Sequence, residues 1–267
     1  MSKANKIFLI QCENEMIDND ANVIANICES ENEWNSGNQY YDSKDAYKCI
    51  KMTMDSINKE YKGEYKDAVP VGSIEFCNEV ARLQGANRIR ALNIPDDLRS
   101  HKYTNRKIVV IDNFKDLEEY IDNNPDVVIK PADEAKKFEA IRFDGKQYTR
   151  DYLRNQGGPY FVSDLIKGDI VSEWRIFFAY GKIVGIHPYS IEEWIMPDRD
   201  VVNDMLNSWK HDVPPTGTID IGVVKDNDKI YTTIIEVHQL IACGLYGFED
   251  SALLNMLRLA WRWHKGN

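Results

Sequence analysis

The segment from Gly217 to His238 holds two apolar, β-branched runs, GTIDIGVV and KIYTTIIEVH, on either side of Asp226-Asn227-Asp228. Such runs around an Asn/Asp cluster predict a β-hairpin. This hairpin constrains the fold most, because three ionisable residues lie inside its apolar strands: Asp220, Glu236 and His238. Side chains alternate along a strand, so Glu236 and His238 share a face. A three-residue loop, 226–228, pairs Lys225 with Lys229 and sets Asp220 against Ile234, diagonal to Glu236. A two-residue loop would break that register. On the three-residue register, two carboxylates and an imidazole converge. An unpaired charge in such strands is costly, and a divalent cation would offset the cost. Mg²⁺ with a nucleotide phosphate takes such a carboxylate pair together with water. A solvated outer face, with Asp220 and Glu236 exposed, is the other reading. The pattern leaves both open.

The preceding strands raise the same choice. In VSEWRIFFAYGK, Glu173 and Arg175 share a face, with Phe177 beyond. Arg175 either pairs with Glu173 or reaches toward phosphate or carboxylate oxygens. VVIKPADEAKKF ends a buried-looking strand on Lys130 and adds Lys136 and Lys137 just after. The lysines are solvated strand-end groups or the walls of a polyphosphate site.

Composition narrows the class. The 267 residues carry 33 Lys plus Arg against 43 Asp plus Glu, a net charge of −10, which argues against a general nucleic-acid binder. At 43% hydrophobic the chain is globular. Five scattered cysteines without a CxxC pair suggest neither disulfides nor zinc, and fit a reducing cytoplasm. The first residues, MSKANKIFLIQCENEM, hold too short an apolar run for a signal peptide, and no stretch has the length to cross a bilayer. The expected location is cytoplasmic.

The coarse layout is α/β. A strand is expected at 6–12 and a helix at 45–61, while 13–40 is Asn/Glu-rich with no element placed. DAVPVGSIEFCNEVARLQG reads as a strand, a Pro-Val-Gly turn, and a helix capped by Ser73 and stopped by Gly85. A β-α-β-β lobe follows at 107–111, 114–121, 127–130 and 139–143, with Asp112 or Asn113 as the helix cap. A strand is expected at 160–163, a hairpin at 170–180 and 182–187, and helices at 198–209 and 251–263. The last helix buries Leu253, Leu254, Leu257 and Trp261.

Six motifs in this order resemble the ATP-grasp superfamily, in particular its branch named for an arginine followed by two lysines. They are VPVGSIEF, NRKIVV, VVIKPADEAKKFEA, YFVSDLI, SEWRIFFAYGKIVG and IIEVHQLIACGLYGF, spanning roughly residues 68–248. The resemblance implies an ATP-grasp fold of two α/β lobes clasping nucleotide, at 105–165 and 166–267, after a small α/β pre-ATP-grasp lobe at 1–104. It implies ATP and Mg²⁺, with Mn²⁺ as an alternative metal. Lys130 would lie near the α-phosphate and the adenine edge. Lys136, with Lys137 as substitute, would sit on a loop over the phosphates, and Arg106 at the lobe entrance. Phe161, Ser163 and Asp164 would flank adenine and ribose, with Glu173 also on the nucleotide side. Arg175 would steady the transferred phosphoryl group, and Asp220, Glu236 and His238 would hold the metal. The implied activity is ATP-dependent carboxylate–amine ligation through an acyl phosphate, on an amino acid, peptide or protein. A catalytically weakened nucleotide-binding or interaction protein is the alternative. The implied partners are small-molecule or peptide carboxylates and amines, without membrane or general nucleic-acid binding; homodimers are common in such enzymes.

Two departures stand out. His238 occupies a place where the superfamily often has asparagine, and no glycine lies between Lys130 and Phe138. A rival motif, Arg142-Phe143-Asp144-Gly145, resembles the KxDG signature of covalent nucleotidyltransferases. Its arginine stays protonated and cannot attack phosphate, so a strand-end turn is the better reading.

Overall fold

The structure is a computed structural model that describes residues 6–12, 19–36 and 46–266. The chain forms two compact units. One holds residues 1–89, 214–216 and 239–267, the other 90–213 and 217–238.

The first unit is built on a parallel three-stranded sheet in the order β2-β1-β3, from β1 (Ile7–Gln11), β2 (Lys48–Met52) and β3 (Val69–Val71). Phe8, Leu9 and Ile10 of β1 are fully buried, as a central strand requires. Pro70 pairs opposite Leu9 on the edge strand β3, where a missing N–H is tolerated, so Pro70 and Val71 belong to the strand and only Gly72 of the expected Pro-Val-Gly turn lies beyond it. Ser73 caps α3 (Ile74–Leu83), accepting from the Phe76 amide at 3.2 Å. The helices α1 (Asn19–Ser36), α2 (Ile57–Glu60) and α8 (Ala252–His264) complete the unit. In α8, Leu253, Leu254, Leu257 and Trp261 are buried as expected, and Trp261 Nε1 donates to Gln84 Oε1 at 3.1 Å.

One expectation fails here. The stretch 45–61 is not one helix: β2 occupies its middle and only the four residues of α2 are helical. The helical spacing of Cys49, Ile50 and Met54 yields to parallel pairing with β1, a long-range gain that local periodicity does not report. Asp45 itself, with 13–18 and 37–40, lies outside the described residues. Residues 239–267 fall within the first unit, where α8 meets α1 and β3.

The second unit carries two four-stranded antiparallel sheets. The first has the order β4-β7-β5-β6, from β4 (Ile108–Ile111), β5 (Val127–Pro131), β6 (Ile141–Arg142) and β7 (Tyr160–Asp164). Its outer layer is α5 (Phe114–Asn123) and α6 (Gln147–Gln156); Leu117, Ile121 and Leu153 are buried against Val127, Ile129, Tyr160 and Val162. Asn113 caps α5 by accepting from the Asp116 amide. The strand expected at 139–143 shrinks to two residues. Asp144 instead accepts from the Lys146 amide and from Thr149 Oγ1 at the start of α6, so Phe143-Asp144-Gly145 turns the chain just after Arg142 ends β6.

The second sheet has the order β11-β10-β8-β9, from β8 (Asp169–Ala179), β9 (Lys182–Ile191), β10 (Thr216–Asp226) and β11 (Lys229–His238). Trp174, Ile176, Phe178, Ile219, Ile221 and Val223 fill one face. They pack against α7 (Arg199–Ser208), which Asp198 caps. The short α4 (His101–Thr104) is pinned to β11 where Thr233 Oγ1 donates to the Thr104 carbonyl at 2.8 Å.

The β10–β11 turn corrects the expected loop. Asp226 pairs with Lys229, so the loop has two residues. Ile221 accordingly faces Ile234, but the register shifts at the next position and Asp220 faces Glu236. A β-bulge at Ile235 restores the side-chain parity that the short loop would have reversed.

Candidate active site

The polar face of the second sheet gathers the ionisable residues. Asp220 and Glu236 sit opposite each other, and His238 lies two residues further on the same strand. One ligand atom from each of the three lies within 4.8 Å of the others. His238 Nε2 is 3.5 Å from Asp220 Oδ2 and 3.5 Å from Glu236 Oε2. The donor set of two carboxylates and an imidazole suits a divalent cation of oxygen and nitrogen preference.

Two cations serve these carboxylates. Arg175 of β8 donates from Nε to Asp220 Oδ1 at 2.7 Å and from Nη2 to Oδ2 at 2.6 Å, a bidentate fork. Both residues are nearly sealed, 4% and 5% exposed. Arg175 thus pairs with Asp220, on the adjacent strand, rather than with Glu173. From the other sheet, Lys130 Nζ reaches Glu236 Oε1 at 3.0 Å. Burial alone would raise the Asp220 carboxyl, but the bonds from Arg175 and His238 outweigh it and hold the group below its usual range. Glu236 follows the same logic: burial raises it, while His238 and Lys130 pull it well below the ordinary carboxylate value. Glu173 is pushed the other way by burial and by the Asp220 charge.

The remaining sequence candidates are more scattered. Phe161 and Ser163 of β7 lie on the sheet face of Lys130, which pairs opposite Phe161. Phe161 is 4% exposed within the core and Ser163 is also buried, so neither is an open platform. Asp164 Oδ2 accepts from the Lys107 amide at 3.4 Å. Lys136 is exposed and takes a left-handed φ of 53° in the loop after β5, where a glycine is absent. Lys137 is engaged differently, donating to the Gly158 carbonyl at 3.3 Å and lying 3.6 Å from Asp133. Arg106 points its guanidinium at backbone carbonyls of β11, Ile234 at 2.7 Å and Ile235 at 3.3 Å.

Tyr189 is a residue the sequence reading missed: its ring lies 5.3 Å from the Arg175 guanidinium carbon. The expected strand stopped at 187, and β9 runs on to Ile191 through a second bulge at Tyr189. The first unit holds a separate cavity of about 390 Å³ at the carboxyl ends of β1 and β3. Gln11, Asp20, Ser73 and Cys243 contribute its polar edge. β1 stands between β2 and β3, so this is where strand order reverses, a common place for ligands in parallel sheets.

Two antiparallel sheets presenting a lysine from one and an acidic, arginine-backed hairpin from the other define an ATP-grasp domain. The chain belongs to the family described as an ATP-grasp domain, family 2 of the clade named for an arginine and two lysines, whose model matches residues 103–256. No curated protein matches the chain. Among solved structures it is similar in fold to a RimK domain protein ATP-grasp from Sphaerobacter thermophilus DSM 20745, with 12% identity, 95% of this chain and 97% of that one covered, and a TM-score of 0.53. It is also similar to D-alanine–D-alanine ligase from Bacillus anthracis, with 16% identity, 97% and 98% covered, and a TM-score of 0.51. A third is the ATP-grasp ligase PsnB with a phosphomimetic variant of its minimal precursor, Mg and ADP, at 10% identity, 97% and 99% covered, and a TM-score of 0.53. At these identities the likeness is one of fold. Among the described residues, no helix is long and apolar enough to cross a membrane.

Proposed function

We propose that the protein is an ATP-dependent carboxylate–amine ligase of the ADP-forming kind. The observation that carries this reading is the Asp220, Glu236 and His238 cluster with Lys130 already on Glu236. Asp220, Glu236 and His238 would hold a divalent cation, which would neutralise charge on the phosphate oxygens of ATP. Lys130 would move from Glu236 to the nucleotide, with Lys136 covering the phosphates from its exposed loop. Arg175, fixed by Asp220, would steady the transferred phosphoryl group beneath Tyr189.

In the reaction, a substrate carboxylate oxygen attacks the γ-phosphorus and ADP leaves with the β,γ-bridging oxygen. The amine then attacks the acyl-phosphate carbon, phosphate departs, and the amine loses a proton. The enzyme's part is positioning and charge neutralisation. PsnB is described as bound to a precursor, and a peptide or amino-acid substrate is the corresponding proposal here. The test is ADP release across a panel of carboxylates and amines. Release that requires both partners supports ligation; release with a carboxylate or alcohol alone points to a kinase.

His238 favours a second reading, a nucleotide-binding protein with weakened catalysis, because imidazole is a softer ligand than an amide oxygen. Tight ATP binding without ADP release across the same panel would favour it. His238→Asn tests the ligand role. The variant is expected to shift metal preference from Mn²⁺ toward Mg²⁺ by about tenfold in the ratio of apparent affinities, within the range for altered metal sites. Titration of both ions with ATP present checks this, and an unchanged ratio would place His238 outside the metal's ligands.

A further inference from the structure

The register of β11 depends on one extra residue. From Lys229 to Ile234 the strand follows the two-residue turn, and Ile235 is then left without a ladder partner before Glu236 meets Asp220. Without the bulge Asp220 would face Ile235, and Glu236 would turn to the opposite side of the sheet. The carboxylate pair therefore exists only while the bulge does.

A bulge leaves backbone groups outside the ladder, and buried ones need partners. Arg106 supplies them. Its Nη1 donates to the Ile234 carbonyl at 2.7 Å and to the Thr104 carbonyl at 3.1 Å, and its Nη2 to the Ile235 carbonyl at 3.3 Å. The side chain is 8% exposed. Burial lowers its pKa to about 10, so it stays charged at neutral pH. Thr233 fastens the strand just before the bulge, to the Tyr103 and Thr104 carbonyls. A planar fork can reach two successive carbonyls at once, which an ammonium group does less well.

We propose that Arg106 is a positioning residue that clamps the β11 bulge and so sets Glu236 across from Asp220, rather than a ligand of nucleotide phosphate. The proposal rests on the metal site of the proposed ligase, and two readouts separate their failures. Hydrogen exchange of residues 233–238 reads the clamp without metal or nucleotide. ATP titration with and without Mg²⁺ reads the site.

In Arg106→Met, exchange in this segment is expected to rise about tenfold or more while the β8–β9 hairpin keeps its wild-type protection, as local opening allows. Affinity for metal-free ATP should stay within about twofold, and the gain from Mg²⁺ should fall by about 10-fold to 100-fold, the usual cost of losing an outer support of a metal site. Arg106→Lys should fall between. Loss of metal-free ATP affinity with β11 protection intact would overturn the proposal in favour of a phosphate ligand. A rise in exchange spread evenly over the unit, or no change in either variant, would overturn it as well. If wild type gains nothing from Mg²⁺ while Arg106→Met still loosens β11 alone, the clamp stands and the metal reading falls.

Discussion

Asp220→Ala is expected to destabilise the protein by about 3–5 kcal/mol, the cost of breaking a buried pair by removing one partner. Arg175 and Asp220 are 4% and 5% exposed and joined by two bonds of 2.6–2.7 Å. Without the carboxylate, the guanidinium stays charged and desolvated and loses its two bonds to Asp220. The corresponding fall in Tm is about 6–20 °C. Asp220→Leu combined with Arg175→Met should recover most of the loss, because neither member is then left as a buried charge. Chemical and thermal unfolding of Asp220→Leu, Arg175→Met and their double variant gives the coupling directly. A loss below about 1 kcal/mol in Asp220→Ala, the value for an exposed pair, would mean that water reaches the fork.

Lys130→Ala should have the largest effect on chemistry. Its ammonium, carried by the first sheet of the second unit, lies 3.0 Å from Glu236, a carboxylate of the proposed metal cluster. On the proposed role of Lys130 at the nucleotide phosphates, its removal should lower ADP formation by about 10²–10³-fold, as for other preorganised donors. The same substitution should strengthen binding of Mn²⁺ alone, because the lysine competes with the ion for Glu236. Electron paramagnetic resonance of Mn²⁺ reads the second effect without nucleotide. Near-normal ADP formation would remove Lys130 from the site, and weaker Mn²⁺ binding would show that the lysine does not compete.

The site was legible in the sequence mainly through strand alternation. Two-residue spacing places Glu236 with His238, and an acidic residue inside TIDIGVV marks Asp220. The assumed loop length was wrong by one residue, and the face assignment survived because the bulge at Ile235 restored the parity. No local signal announces that bulge; it is held by Arg106, 128 positions away from Ile234 in sequence. The same limit explains the second unit's partner choices. Arg175 could be read against Glu173, its neighbour on the strand, but its acceptor is on the next strand.

Elements with strong periodicity and caps were readable, such as α3 with Ser73 and α5 with Asn113. Those with polar sequences were not. α6 buries only Thr149 and Leu153, and α1 lies in the Asn/Glu-rich stretch that shows little pattern. The 45–61 stretch shows the converse error, in which a helical period is overridden by a strand's pairing with β1.

The central claim is that Asp220, Glu236 and His238 form the metal end of a nucleotide site. Isothermal titration of ATP, with and without Mg²⁺, into wild type and Glu236→Ala tests it most directly. The expected result is that Mg²⁺ strengthens ATP binding in wild type and not in the variant, while metal-free binding is similar in both. Equal enhancement by Mg²⁺ in the two proteins, or no ATP binding in either, would contradict it.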